Sequence, residues 1–190
     1  MKNMNKVVVT RMSKKDERAI QVLRNHIRDI PNFPKQGILF KDITPLLSSS
    51  LIFRKTIDLF IERYQNKQIN KIIAIEARGF ILGAALAYGL KVGLIPVRKK
   101  NKLPYKTLSA SYSLEYGEDA LEIHQDALKK GEKALIIDDV LATGGTLSAV
   151  CKLVENLGAE VLEIACLIEL TFLNGRKKLN QIPLFSLLQY

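Results

Sequence analysis

Hydrophobic residues in this chain fall into short blocks whose spacing alternates between two periods. Residues 71–75 (KIIAI), 92–97, 134–137 and 160–170 are nearly unbroken apolar runs, the pattern of strands buried on both faces of a parallel sheet. Between them lie segments with helical spacing. GFILGAALAYGL, from Gly79, follows the first run. Gly144 to Leu157, closed by Gly158, follows the third. Upstream, Leu51, Ile52, Leu59, Phe60 and Tyr64 mark an amphipathic helix over 50–64, and Ser13 with Asp16 opens a helix running to about His26. Gly79 and Gly83, at helical spacing, predict close helix packing.

The order strand, turn, helix, strand predicts an α/β fold: a central parallel sheet flanked by helices. The stretch IPNFPKQGILFKDITPLL carries three prolines and a glycine, so it reads as a shaped, non-helical loop with a short strand. Residues 101–110 are polar, contain Pro104 and read as a mobile loop. Residues 111–116 and 120–124 alternate enough for two strands, and Glu118, Asp119 and Glu122 read as a solvated acidic face. No internal repeat or linker divides the sequence. Its 190 residues suit one domain, with residues 1–12 as a flexible extension.

Composition adds little until charge is considered. No apolar run reaches about 18 residues, so no membrane span is expected. His26 and His124 are far apart with no partner cysteines, which argues against zinc. Cys151 and Cys166 read as buried free thiols, in keeping with a cytoplasmic protein. The formal charge is +10, from 29 basic and 19 acidic residues. Arg98, Lys99, Lys100 and Lys102 crowd one stretch without an acid, which favours a polyanionic partner such as a phosphorylated small molecule or nucleic acid.

The sharpest chemistry lies in ALIIDDVLATGGT, residues 134–146. An apolar strand ends in two adjacent carboxylates, and a small glycine-rich turn follows before a helix. Ligands of parallel sheets sit at the carboxyl ends of strands. Gly144 and Gly145 let backbone amides turn toward an anion, the helix N-terminus adds partial positive charge, and Thr143 and Thr146 add hydroxyl donors. Neither GxxxxGK[ST] nor GxGxxG is present, which removes support for ATP hydrolysis and hydride transfer. Carboxylates accept from hydroxyls while glycine amides donate to phosphate, so the ligand expected is a ribose 5-phosphate.

These residues closely resemble the phosphoribosyl pyrophosphate (PRPP) signature of the type I phosphoribosyltransferase family. FPKQGILFKDITPLL, EARGF, VRKKNKLP, ASYSLEYG and LEIHQDAL resemble its adenine branch, in matching order from about Ile27 to Tyr190. The resemblance implies transfer of the 5-phosphoribosyl group from PRPP to adenine, giving AMP and pyrophosphate, with Mg²⁺ accompanying PRPP and no protein metal ligand assigned. It implies a small N-terminal hood at about 27–47, a homodimer, and neither membrane nor nucleic acid as partner.

Residue by residue, it implies that Asp138 and Asp139 hold the ribose hydroxyls, and that Ala142, Thr143, Gly144, Gly145 and Thr146 hold the 5-phosphate. Glu76, Ala77, Arg78 and Gly79 would form the pyrophosphate loop, with Arg78 facing the leaving group. Arg98, Lys99 and Lys102 would also serve pyrophosphate, Arg98 reaching across the dimer interface. Leu39 and Lys41 would hold adenine through backbone groups, with Phe40 near the base. Glu115 would sit by the purine N7 with Tyr116 beside it on a closing loop. Ala77 stands where some relatives carry serine, and Lys41 where arginine is common. Two alternatives stay open on the residues: the same transfer to guanine or xanthine, and a PRPP-sensing nucleic-acid regulator.

Overall fold

The computed structural model describes residues 14–113 and 118–190. The chain forms two compact units, Met1–Thr56 and Ile57–Tyr190. In the first, helix α1 (Lys14–Arg24) precedes an antiparallel ribbon of β1 (Arg28–Pro31) and β2 (Leu39–Asp42), paired from Arg28↔Asp42 to Pro31↔Leu39. Asp42 organises the ribbon's end. It accepts from Arg28 Nη2 at 2.6 Å and from the Thr44 backbone N–H at 2.9 Å. Helix α2 (Thr44–Ser48) follows directly. This corrects the expectation that the prolines exclude a helix: Pro45 occupies its first turn, where a missing N–H costs nothing and the fixed φ is already helical.

Helix α3 (Ser50–Tyr64) leads into the second unit. There β3 (Lys71–Ile75), α4 (Arg78–Leu90), β4 (Gly93–Lys99), β5 (Thr107–Ser113), β6 (Glu118–His124), β7 (Lys133–Leu141), α5 (Gly145–Asn156), β8 (Glu160–Glu169) and β9 (Leu184–Gln189) follow. Among the described residues, seven strands form one sheet in the order β5-β6-β4-β3-β7-β8-β9. The run β4-β3-β7-β8-β9 is parallel, and β6 pairs antiparallel with both β4 and β5. The α/β expectation therefore holds, with an antiparallel hairpin at one edge. The core is Ile73, Ile75, Val97, Ile123, Ile136 and Ile164 of the strands packed with Leu147, Val150, Leu153 and Val154 of α5.

Three strand boundaries differ from the sequence reading. Strand β5 begins at Thr107, inside the supposed mobile loop. Leu108, Ala110 and Tyr112 alternate toward the core while small polar residues fill the other positions, so the period-2 signal is weak in hydropathy but secured by seven pairs with β6. Strand β9 was not foreseen, because a mixed polar and apolar segment becomes a strand once β8 offers a free edge. Strand β7 continues four residues beyond Ile137 because β8 still pairs with it, although β3 has stopped.

The supposed solvated acids are also corrected. Glu122 is buried and accepts from the Asn101 backbone N–H at 3.1 Å, and Asp119 pairs with Lys99 Nζ at 3.3 Å. Cys151 and Cys166 are buried free thiols, as expected. Among the described residues no helix is long and apolar enough to cross a membrane.

Candidate active site

The site is set by a reversal in the sheet. The β3–α4–β4 crossover runs toward one edge and β7–α5–β8 toward the other, so neighbours β3 and β7 send their following segments apart. A crevice opens at such a switch point. The last β3–β7 pair is Ala74↔Ile137, so Asp138 and Asp139 are the first residues of β7 past it. Adjacent strand residues point to opposite faces, which keeps the two side chains from stacking. Both are buried. Asp138 Oδ1 accepts from the Asp139 backbone N–H at 2.9 Å.

Burial, and then the neighbouring Asp139 charge, push the Asp138 carboxyl well above its usual range. Burial also raises Asp139, against the Arg78 guanidinium that favours its anion. Arg78 Nε stands 2.8 Å from Asp139 Oδ2, an ion pair, yet that oxygen accepts no hydrogen bond among the described residues.

The turn 142–144 leaves β7 and enters α5 through Gly144, whose φ of 81° lies in the left-handed region that favours glycine. Asp138, Thr143, Gly144 and Thr146 line a recess with Val140, Leu141, Ala142 and Leu147. One of the two acids, Asp138, thus lines the same recess as the glycine turn, and Asp139 follows it in β7. The segment 76–79 closes on it from β3. Its Glu76–Ala77 peptide is cis. A Cβ on Gly79 would lie 2.9 Å from Asp138 Oδ1 and 3.1 Å from the Ile137 carbonyl oxygen, and one on Gly83 would collide with the Ala74 methyl. Glycine at these positions lets α4 lie against β7, as its helical spacing suggests.

Within the basic group Arg98 is tied down, whereas Lys99, Lys100 and Lys102 are exposed. Glu76 accepts from Arg98 Nε at 3.2 Å and from the Lys99 backbone N–H at 3.0 Å, while Arg98 Nη1 donates to the Lys102 carbonyl at 2.9 Å. Burial alone would raise the Glu76 carboxyl, but the hydrogen bonds of Arg98 and Lys99 hold it below its usual value. Tyr112 donates to Asp119 at 3.2 Å and also meets the Thr146 side chain, so β5 is joined to the start of α5.

Leu39, Phe40 and Lys41 lie on β2 in the other unit. Among the described residues the ribbon has two strands, so β1 covers one edge of β2, and Leu39 and Lys41, two apart, aim backbone groups the same way. Lys41 is buried and its Nζ lies 2.7 Å from Asp29 Oδ1, while Phe40 packs edge-on to Phe33 at 5.1 Å. Glu115 and Tyr116 lie outside the described residues.

A family model of the phosphoribosyl transferase domain matches residues 43–182. An adenine phosphoribosyltransferase of Geobacter metallireducens is 58% identical over 168 residues, 88% of this chain and 98% of that protein. The chain belongs to the adenine phosphoribosyltransferase family. It is a pentosyltransferase of purine salvage, carrying the 5-phosphoribosyl group of PRPP to adenine with AMP and pyrophosphate as products.

Solved adenine phosphoribosyltransferases share the fold. That of Rhodothermus marinus matches with a TM-score of 0.87 at 50% identity, over 92% of this chain and 99% of the other. That of Saccharomyces cerevisiae, complexed with an imino-altritol bisphosphate and adenine, matches with a TM-score of 0.86 at 42% identity, over 90% and 99%.

Sequence reasoning missed one part of this adenine phosphoribosyltransferase recess. A Cβ on Gly144 would fall on the carbonyl of Gly175, so the 3-10 turn Gly175–Lys178 backs the 142–144 turn. The pair is separated by about a helix and a strand, and GRKK alone carries no signal of it.

Proposed function

We propose that this reaction is run by the groups the recess brings together, with roles as follows. Backbone amides of residues 142–146 and the hydroxyls of Thr143 and Thr146 hold the 5-phosphate. Asp138 and Asp139 accept from the ribose 2′- and 3′-hydroxyls. Residues 76–79 hold pyrophosphate, with Arg98, Lys99 and Lys102 adding positive charge. The observation that carries this reading is that two adjacent buried carboxylates stand at the switch point and that one of them, Asp138, lines the same recess as a left-handed glycine turn.

In the proposed course, the bond from the anomeric carbon to pyrophosphate breaks with its electron pair leaving on oxygen, and adenine N9 closes on the carbon. Charge on the sugar in such a transfer resembles an oxocarbenium ion. Asp138 and Asp139 then act twice: they orient the ring through its hydroxyls and supply negative potential beneath it. Holding ring and base in line can remove roughly 7–11 kcal/mol of barrier in favourable cases. Arg78 leaves its contact with Asp139 to meet the departing pyrophosphate. As N9 gives its proton to water, Glu115 beside N7 acts as hydrogen-bond donor and acid, passing its proton toward N7 as charge shifts around the imidazole ring and taking it back as AMP forms, with Tyr116 alongside. Leu39 and Lys41 read the base through backbone groups of β2, with Phe40 near the ring. Backbone recognition tolerates lysine where arginine is common.

The Asp139 oxygen that accepts no hydrogen bond fits a magnesium ion arriving on PRPP, since Mg²⁺ is commonly held by one or two carboxylates with substrate phosphates and water. When bound, it would offset the charge of the leaving pyrophosphate.

The proposed assembly is a homodimer. Ile81 and Tyr88 of α4 and Leu94 of β4 are exposed, and among the described residues β4 pairs with β6 at Arg98 and Lys99 and not along the rest of that edge. Buried thiols and the absence of a spanning helix among the described residues accord with a cytoplasmic setting.

Titration with ribose 5-phosphate and AMP, followed by a crystal soaked with AMP, tests the site. The phosphate is expected on residues 142–146. An AMP phosphate bound elsewhere would refute the assignment, and faster turnover of guanine than of adenine would refute the base specificity.

A further inference from the structure

We propose that Arg176, clamped by Glu169, is a positioning residue for the 5-phosphate turn, acting on ribose-phosphate affinity without touching the ligand. The inference rests on the reading of residues 142–146 as the 5-phosphate site.

The turn does not stand alone. Gly175 lies against it backbone to backbone: a Cβ there would collide with the Ala142 carbonyl oxygen and come within 3.1 Å of the Gly144 amide nitrogen. The reciprocal collision of a Gly144 Cβ with the Gly175 carbonyl shows the two backbones in direct contact, with the Leu141 side chain beside them. Any shift of Gly175 is therefore passed directly to the amides that face the anion.

Arg176, the next residue, fixes where Gly175 sits. Its Nε and Nη2 meet the two carboxylate oxygens of Glu169 at 2.5 and 2.6 Å, a bidentate fork, and Nη1 donates to the Leu184 carbonyl at 3.1 Å. Glu169 is itself immobilised. It is buried at the end of β8 and also accepts from Ser186 Oγ at 2.7 Å and Gln189 Nε2 at 3.3 Å, both on β9. It pairs in register with Leu141, the last residue of β7, and the Leu170 backbone N–H donates to the Leu141 carbonyl at 2.9 Å. The carboxylate thus ties three strands and the 3-10 turn to one point behind the recess.

The choice of groups supports a positioning role. A carboxylate taken from water is costly, and well-packed apolar side chains often stabilise as well or better. A planar guanidinium on a fully engaged carboxylate has one orientation, which apolar packing does not impose.

The test uses full-length protein and three probes: ribose 5-phosphate and inorganic pyrophosphate by isothermal titration, and PRPP and adenine by steady-state kinetics. Arg176→Leu is expected to weaken ribose 5-phosphate and to raise KM for PRPP by about tenfold or more, the scale of one lost charge-assisted bond. KM for adenine and the pyrophosphate affinity should stay within about twofold, and Arg176→Lys, which keeps the charge but loses the fork, should fall between.

Lowered thermal stability with unchanged ribose 5-phosphate affinity would overturn the proposal, leaving Arg176 a stability residue. If Arg176→Leu does not fold, Arg176→Lys and Gly175→Ala carry the same comparison, and wild-type affinity in both overturns it. A wild-type protein that binds pyrophosphate but not ribose 5-phosphate would instead sink the underlying reading of the turn.

Discussion

Asp138 and Asp139 show how much a single position depends on its surroundings. Both carboxyls are raised, Asp138 by burial and by its neighbour, Asp139 by burial against the opposing charge of Arg78. A raised acid binds its proton more tightly folded than unfolded. Its contribution to stability is therefore greatest near and below the ordinary value of 3.8 and declines as pH rises through the folded value. Asp138→Asn removes that burden. It should leave the melting temperature at pH 7 unchanged or higher, and flatten its fall as pH rises above 3.8, while weakening ribose 5-phosphate. Calorimetry across pH reads the first effect and titration the second. A lower melting temperature at pH 7 would mean the ionised carboxylate supports the fold. Glu115→Leu should behave differently, keeping PRPP binding and losing most turnover in a rapid-quench assay. Unchanged turnover would remove the proposed acid. At this scale DDVLATGGT was legible because its residue types carry their chemistry in sequence. Glu169 and Arg176 were not, because a carboxylate and a guanidinium seven residues apart look like ordinary surface charges until β8 and the 3-10 turn bury one of them.

Among the elements, glycines decide how closely helices approach the sheet. Gly79→Ala would set a methyl 2.9 Å from Asp138 Oδ1 and 3.1 Å from the Ile137 backbone oxygen, which a central strand holds in place, so the side chain of Asp138 must give way. Overpacking of this kind costs about 1–3 kcal/mol, and the displaced carboxylate should lower turnover as well. Denaturant melts together with kcat measure both, and an unaffected kcat would separate α4 packing from the site. Helices α3, α4 and α5 and strands β3 and β7 were visible as periodic or unbroken apolar blocks. Strand β5 was hidden by small residues, β9 by mixed polarity, and α2 by Pro45, each secured by a neighbour or by position in a first turn rather than by local pattern.

For the molecule as a whole, ionised carboxylates set the acid limit. Burial would raise Asp42, Glu76, Asp119, Glu163 and Glu169, yet hydrogen bonds to arginine, lysine or backbone amides hold all five below their ordinary values. Their stabilisation is present above the unfolded values of 3.8 and 4.5 and is lost as pH falls through the lowered ones. Glu163 is the clearest case, buried and meeting Arg63 Nη2 at 2.6 Å and Lys67 Nζ at 2.8 Å. Glu163→Gln should cost about 1–3 kcal/mol at pH 7 and less near pH 3, which lies below the unfolded value of 4.5. Thermal melts at the two pH values test this, and an equal loss at both would place the effect in packing. The +10 charge bears on partners at the same scale. Affinity for PRPP should fall with added salt because exposed basic groups are screened over roughly 8–10 Å.

The sequence by itself determined the α/β class, the strand-turn-helix frame and the pair of acids before a glycine-rich turn, because hydrophobic period and residue type act over neighbouring positions. Tertiary structure alone decided that Arg78 faces Asp139, that Arg98 is bound to Glu76, and that Gly175 and Arg176 stand behind the turn. These contacts join residues from about twenty to sixty positions apart, and only the packing of strands into one sheet brings them within reach.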